Sequence, residues 1–402
     1  MENTSIDGLY RTSLATVRRV KTDIHRYLYH QINWENWLIA IKGARGVGKT
    51  TLMLQHIKET FRDNPEQALY VSLDNMWFAN HTLSEVVEYH YNHGGTHLFI
   101  DEIHRYPHWQ TVIKNMADEY PDMHIAYTGS SMLRMDSNEG DLSRRQIVYT
   151  LHNMSFREFL LFETGKELPV IGLEDLLANH VKLAMDITDG IKILQYFDKY
   201  LKYGCYPFYL RDRDGFDARL QSVIRAVLTD DLPAVDDVTY ATQQKVMRML
   251  MILAECVPQT PKMSELYATL ETNREQGMKM LAMLQRAALL QLLTSENKRL
   301  HNLTKPDKIY LNNPNQMYAL SPHADAGTLR ETFFLNQVGN IAEVKYPQQG
   351  DFLVNHKHLF EVGGKSKTFK QIKEVPDSYL AVDDTEIGHK NRIPLWLFGM
   401  LY

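Results

Sequence analysis

Over the first third of the chain, short uninterrupted apolar runs alternate with amphipathic stretches. Residues 37–41, 68–73, 97–100, 124–128 and 146–151 have the length and content of strands buried on both faces. The first is followed by a Gly-rich turn and a helical stretch over 49–61, and helical segments separate the others. Strands alternating with helices predict parallel βαβ units and an α/β sandwich. Residues 1–35 read as a leading helix, with Leu14, Val17 and Val20 recurring at threes and Arg18, Arg19 and Lys21 between them. After about residue 155 strand alternation is lost, and 156–165, 173–186, 190–203 and 221–228 read as helices. A third texture follows: helices over 243–255, 264–270 and 273–288, then short strands over 289–294 and 308–311. The last 75 or so residues return to a mixed pattern. The expected parts are an N-terminal helix (1–35), an α/β core (36–154), a helical subdomain (155–238), a three-helix, two-strand module (239–325) and a C-terminal α/β domain (326–402).

Composition narrows the class. The 402 residues carry a formal net charge of −5, which excludes a globally basic nucleic-acid binder and leaves local basic patches open. With 44% hydrophobic and 23% charged residues the chain has ordinary globular content, so disorder does not dominate. Two cysteines, Cys205 and Cys256, cannot build a disulfide scaffold or a structural zinc site, and they suit a reducing compartment. No apolar run approaches a membrane span or a secretory leader, so a soluble cytoplasmic protein is expected.

The strongest chemical signal is Gly43-Ala44-Arg45-Gly46-Val47-Gly48-Lys49-Thr50, continued by Thr51. A G-x-x-x-x-G-K-[ST] turn between an apolar strand and a helix is a phosphate cradle. Its glycines let the backbone wrap closely, and its N–H groups and the helix N-terminus favour an anion. Lys49 is expected on the β- and γ-phosphates of ATP, and the Thr50 hydroxyl on Mg²⁺. A chance Gly-rich turn is the bland alternative, and the flanking strand and helix argue against it.

The second signal is the apolar strand His97-Leu-Phe-Ile that ends in Asp101-Glu102. Asp101 is expected to hold Mg²⁺ through water, and Glu102 to act as general base on the attacking water. The bland reading is a buried strand capped by solvated acids. One strand, 68–73, lies between the two motifs in sequence, the pattern of the additional-strand ATPases. At the end of the fourth strand, Thr128, Ser130 or Ser131 offers a hydroxyl to the ligand crevice, and Ser130 is the residue assigned to the nucleotide. A polar turn would look the same. Arg144 and Arg145 are candidates for stabilising transition-state charge, in cis or in trans, against the reading of a solvated basic turn.

Three stretches together, INWENWLIAIKGARGVGKTTL, LFIDEIHRYPHWQTVIKNMADEYPDMHIAYTGSS and DLSRRQIVYTLHNMSFREFL, resemble the prokaryotic AAA-type ATPases with a DEXX-box acid strand and a C-terminal nuclease-like domain of the DUF4143 kind. The resemblance implies ATP binding, a helical lid over 155–238, a winged-helix module over 239–325 and a restriction-endonuclease-like α/β domain over 326–402. In the winged-helix part, Lys298, Arg299, His301 and Lys305 form a cationic tip, and Arg274, Lys279 and Arg286 lie on the third helix with Glu275. In the C-terminal part the resemblance implies a metal-dependent phosphodiesterase set of Glu331, Asp351 and Glu361 with a lysine two residues beyond. That position is Gly363, and Lys365 follows it on a loop. A degenerate nuclease fold used for binding is therefore the expectation. His356 and His358 are expected on one strand face.

The reading is an ATP-hydrolysing switch. Its alternatives are an ATP-gated, Mg²⁺-dependent DNA nuclease and a regulatory module that holds ATP with negligible turnover. The partners expected are ATP and, through the winged-helix and C-terminal parts, DNA or a protein.

Overall fold

The computed structural model describes residues 5–130, 141–235, 238–258, 260–296, 305–321, 324–373 and 375–402. They divide into two compact units, residues 1–152 with 234–237, and residues 153–233 with 238–402.

The first unit runs α1 (Ile6–Arg19), β1 (Leu38–Gly43), α2 (Lys49–Thr60), β2 (Ala68–Ser72), α3 (Leu83–Asn92), β3 (His97–Asp101), α4 (Trp109–Glu119), β4 (His124–Ser130) and β5 (Ile147–Thr150). All five strands are parallel, in the order β2-β3-β4-β1-β5. Strands buried on both faces need apolar side chains at every position, which is why the sequence shows runs rather than alternation. Leu38 and Ala40 of β1, Leu69 and Val71 of β2, Leu98 and Ile100 of β3 and Ile125 and Tyr127 of β4 pack with Val86 and Val87 of α3 and Ile113 and Met116 of α4. The strand inserted in space between β1 and β3 is β4, whereas β2 goes to the edge. The parallel register brings Gly43 opposite Ser130 and Ser72 opposite Asp101, so the chemistry-bearing residues gather at the carboxyl edge of the sheet.

The leading helix ends at Arg19 rather than near residue 35, and a single 3₁₀ turn, Tyr27–His30, follows. Leu14 is exposed, and the helix buries Leu9 and Ser13 instead. Ser13 Oγ accepts the Tyr70 N–H at 3.0 Å, so α1 satisfies a donor of the edge strand β2.

The second unit begins with helices α5 (Phe156–Thr164), α6 (Leu173–Thr188), α7 (Ile193–Lys199) and α8 (Phe216–Ala226), and one turn, α9 (Leu232–Val235), falls across the division between the units. The expected helix over 190–203 is interrupted, because α7 opens into a wide π turn at Tyr200–Gly204. Then come α10 (Tyr240–Cys256), α11 (Met263–Thr269), α12 (Arg274–Arg286) and the antiparallel pair β6 (Leu290–Leu293) and β7 (Lys308–Leu311). After α13 (Pro314–Leu320) and α14 (Ala326–Val338) a second sheet is built from β8 (Val344–Lys345), β9 (Phe352–Val354), β10 (His358–Gly363), β11 (Ser378–Val382) and β12 (Arg392–Pro394), in sequential order. β10, β11 and β12 are parallel, and β9 is antiparallel to both of its neighbours.

Buried polar bonds tie these segments together. Ser155 Oγ and Arg157 Nε both donate to the Tyr402 carbonyl at 2.9 Å, and Gln337 donates to the Tyr200 hydroxyl at 3.0 Å. The Ser155-Phe-Arg-Glu158 box is a helix-capping box at the start of α5, each side chain bonding the other's backbone N–H.

Candidate functional site

The phosphate-cradle turn departs from β1 at Gly43 and enters α2 at Lys49. Gly46 and Gly48 take φ of 86° and 104°, in the left-handed region that glycine occupies at least cost. A Cβ at Gly43 would lie 2.4 Å from the Leu151 carbonyl oxygen, so this position cannot carry a side chain without moving the backbone. The loop is held from outside by Arg26, a buried residue whose guanidinium donates to the Val47 carbonyl and, at 2.9 Å, to the His152 carbonyl. Within the loop the Lys49 ammonium donates to the Gly43 and Ala44 carbonyls at 2.9 and 3.1 Å, which points it into the curve of the turn.

Asp101 ends β3 with 4% of its surface exposed. A buried carboxylate is tolerable only if its lone pairs are satisfied, and three hydroxyls do this. Thr50 Oγ1 and the Tyr70 hydroxyl donate to Oδ2 at 2.8 and 3.0 Å, and Thr128 Oγ1 donates to Oδ1. Burial, and then the Asp101 charge, push the Tyr70 phenol well above its ordinary value, so it stays a donor. Thr128 also accepts the Glu102 N–H at 3.0 Å. Glu102 sits at φ 60°, ψ 45° just beyond the strand, and its carboxylate lies 3.3 Å from His104 Nε2.

The structure thus brings Thr50, Asp101 and Glu102 together as the sequence leads one to expect. Among the three hydroxyl candidates it distinguishes Thr128, which touches both acids. Ser130 lies opposite Gly43 at the foot of the loop, and Ser131 falls outside the described residues. Tyr70, His104 and Arg26 are additions. His104 follows the acid pair by two residues, whereas Tyr70 and Arg26 come from other parts of the chain, and only the fold shows that they converge.

The arginine pair separates. Arg145 Nε and Nη2 donate to Asp118 of α4 at 3.0 and 3.3 Å, a two-point surface pairing, whereas Arg144 is exposed at the end of a 3₁₀ turn, Asp141–Arg144.

Thr50 and Asp101 present a hydroxyl and a carboxylate 2.8 Å apart, hard oxygen donors of the kind Mg²⁺ takes when a nucleotide and water supply the rest. The C-terminal carboxylates differ. Glu331 of α14 accepts the Tyr310 hydroxyl at 2.6 Å and faces Lys308 at 3.5 Å, and Lys308 lies 4.0 Å from Asp351. Asp351 accepts the Val362 N–H at 2.8 Å. Glu361 is 1% exposed and pairs with the Lys367 ammonium at 2.6 Å. Burial, and after it the nearby Asp351 charge, raise the Glu361 carboxyl above its usual range against the pull of Lys367. A Cβ at Gly363 would lie 2.7–2.9 Å from the Lys367 stem, so this side chain fills the space that the glycine leaves. The ammonium absent at position 363 is therefore supplied from 367, not 365. Lys308 and Lys367 offset part of the charge of these three acids, and among the described residues no group of three His, Cys, Asp or Glu is arranged to hold a metal ion.

Two further expectations are corrected or bounded. His356 does not share a strand face with His358. Asn355 and His356 both have positive φ, 50° and 56°, and form the turn between β9 and β10. His358 is buried and meets Glu174 at 2.9 Å. Of the cationic tip, Lys298, Arg299 and His301 lie outside the described residues. On α12, Lys279 is paired with Glu275 at 2.8 Å.

The geometry defines a P-loop α/β unit of the nucleotide-binding class. Residues 35–160 match the family model of the AAA domain, and residues 194–325 match a domain of unknown function, DUF8612, which stops short of Glu331, Asp351 and Glu361. The chain is similar to the uncharacterized protein MJ1637 of Methanocaldococcus jannaschii, with 26% identity over 284 residues, 67% of this chain and 59% of the relative. It therefore spans about three fifths of that relative's length. Among solved structures, AMPPCP-bound DnaA from Aquifex aeolicus aligns over 71% of this chain and 92% of its own at 14% identity and a TM-score of 0.27. PCH-2 of C. elegans aligns over 44% and 47% at 16% identity and a TM-score of 0.24. Among the described residues no helix is long and apolar enough to cross a membrane.

Proposed function

We propose that the first unit binds ATP in the Gly43–Thr51 loop and hydrolyses it to ADP and phosphate, the nucleotide state acting as a switch. The observation that carries the reading is the caged Asp101, with Thr50 of the loop on one side and Glu102 on the other. In this reading Gly43, Ala44, Arg45, Gly46, Val47, Gly48, Lys49, Thr50 and Thr51 surround the phosphates, with Ser130 beside them, and Lys49 leaves its carbonyl partners for the β- and γ-phosphates. Glu102 accepts the proton of the attacking water. Mg²⁺, held by Thr50 and Asp101, would supply charge neutralisation for the leaving phosphate. Of the two arginines, Arg144 is the one we assign to transition-state charge, since Arg145 is spent on Asp118.

For the second unit we propose a helical lid, a winged-helix module and an α/β domain that binds a protein or nucleic acid without cutting it. What supports the absence of cleavage is the pairing of Glu331 with Lys308 and of Glu361 with Lys367. A cytoplasmic location suits an ATP-consuming protein. The direct test is ATP hydrolysis by wild type and Glu102→Gln. The amide keeps the shape of the carboxylate but cannot take the proton, so binding should persist while turnover disappears.

A further inference from the structure

The glycine that lets the loop enter α2 also leaves a peptide plane unfixed. Gly48 sits at φ 104°, and glycine populates positive and negative φ about equally, so Gly48 does not by itself set the plane of the Val47–Gly48 peptide. That peptide is trans and planar, so its C=O and N–H point in opposite directions. With the carbonyl turned outward the N–H faces into the loop. With the plane reversed, a carbonyl dipole would meet the phosphates instead of a donor.

Arg26 takes hold of that carbonyl. It is buried, and it donates from Nη1 to the Val47 carbonyl and from Nη2 to the His152 carbonyl at 2.9 Å. One acceptor belongs to the loop and the other lies two residues beyond β5, so the planar fork sets the loop against the sheet. The segment that carries Arg26 is itself pinned from two sides. The Gln55 amide of α2 donates to the Lys21 and Ile24 carbonyls at 2.8 and 2.9 Å, and the Tyr27 hydroxyl donates to the Thr150 carbonyl of β5 at 2.9 Å.

We infer that Arg26 is a positioning residue for the phosphates: by holding the Val47 carbonyl outward it aims the Gly48 N–H into the loop. The inference rests on the reading of the loop as an ATP site. A guanidinium on the carbonyl also polarises the peptide, which strengthens its N–H as a donor. Arginine suits this task because its rigid fork spans two acceptors, which the single ammonium of lysine does not.

The test is nucleotide Kd, kcat at saturating ATP·Mg²⁺ and urea midpoint for wild type, Arg26→Lys and Arg26→Met. A hydrogen bond to a charged group corresponds to roughly ten- to a hundredfold in affinity, and Arg26→Met should raise the Kd for ATP·Mg²⁺ by that factor. Arg26→Lys keeps the charge but not the fork and should raise it roughly tenfold. In both, kcat at saturation should stay within about threefold, because a contact made equally in ground and transition states moves binding rather than turnover. Labelling valine carbonyls with ¹³C and glycine amides with ¹⁵N gives signals from three Val–Gly peptides, Val47–Gly48, Val338–Gly339 and Val362–Gly363. Only the first should move in the nucleotide-free variants. A Kd for Arg26→Lys within about twofold of wild type would assign the effect to charge, and overturns the inference. So does an unmoved Val47–Gly48 signal, or a lowered urea midpoint with unchanged Kd, which marks a merely structural role. The lysine variant decides the matter even if the methionine variant fails to fold. Absence of ATP·Mg²⁺ binding by wild type overturns the reading of the loop instead, which keeps the two failures apart.

Discussion

The Asp101 side chain is buried with 4% of its surface exposed, and removing any one of its three hydroxyl donors leaves a buried lone pair unmet. Hydrogen bonds to charged groups contribute about 1.5–3 kcal/mol. Tyr70→Phe should therefore lower stability by roughly that amount, read as a shift of the urea midpoint, without removing any group assigned to the phosphates. Thr128→Val should cost at least as much, because the same oxygen also holds the Glu102 N–H. Equal stability of Tyr70→Phe and wild type would mean that the phenol contributes nothing to the cage. Lys49→Ala should abolish most of the thermal stabilisation by ATP·Mg²⁺, since ligand linkage reports affinity directly. Arg144→Ala should lower kcat with little change in nucleotide Kd, and Arg145→Ala should spare kcat. A charge that meets the transition state acts on rate rather than on ground-state binding. The loop and the Asp101-Glu102 pair were legible because their chemistry lies within a few consecutive residues. Tyr70 and Thr128 stand 31 and 27 positions from Asp101, and nothing local marks either as its partner.

At the scale of elements, the amino ends of the strands carry a row of histidines opposite in the sheet to the acid pair. His97 and His124 are register partners on β3 and β4 with rings 4.6 Å apart, and His56 of α2 stacks on Trp34 at 3.8 Å. Burial, then the neighbouring His97, lowers the His56 pKa to about 3. Burial, then His124 and His90, lowers that of His97 to about 4. The folded state thus binds protons less readily than the unfolded chain at an ordinary 6.5, and stability falls as pH drops through the window from about 6.5 to about 3. Between pH 7.5 and about 5, His56 alone accounts for roughly 2 kcal/mol. A melting-temperature profile over that range should slope downward on acidification and flatten in His56→Gln. An equal slope in that variant would place the loss elsewhere. Elements themselves were largely predictable, because runs and periodicities are local: β7 spans the residues expected, and α2 and α5 end within one residue of expectation. The exceptions have physical causes. The leading helix stops where residues 20–34 turn to support the loop through Arg26, and His356 leaves its strand because Asn355 starts a turn with two positive φ values.

For the whole molecule, the C-terminal acids bear on which activity the chain has. The sequence places Gly363 where a lysine was expected, and an absent ammonium argues against cleavage. The structure shows an ammonium in that space, from Lys367, and it is paired with the carboxylate a metal would need. Supercoiled plasmid with the full chain, ATP and Mg²⁺ or Mn²⁺ should therefore stay intact. Nicking that disappears in both Asp351→Ala and Glu361→Ala would show the acids to be catalytic after all. This part of the site was not readable in advance, because the identity of the lysine depends on how the chain loops back after β10. The measurement that bears most directly on the central claim is steady-state release of phosphate from ATP·Mg²⁺ by wild type and Glu102→Gln, with nucleotide Kd determined on the same samples. The account predicts turnover by wild type, and its loss in the variant with Kd unchanged within about twofold. Equal turnover in the two proteins, or none in wild type, would contradict it.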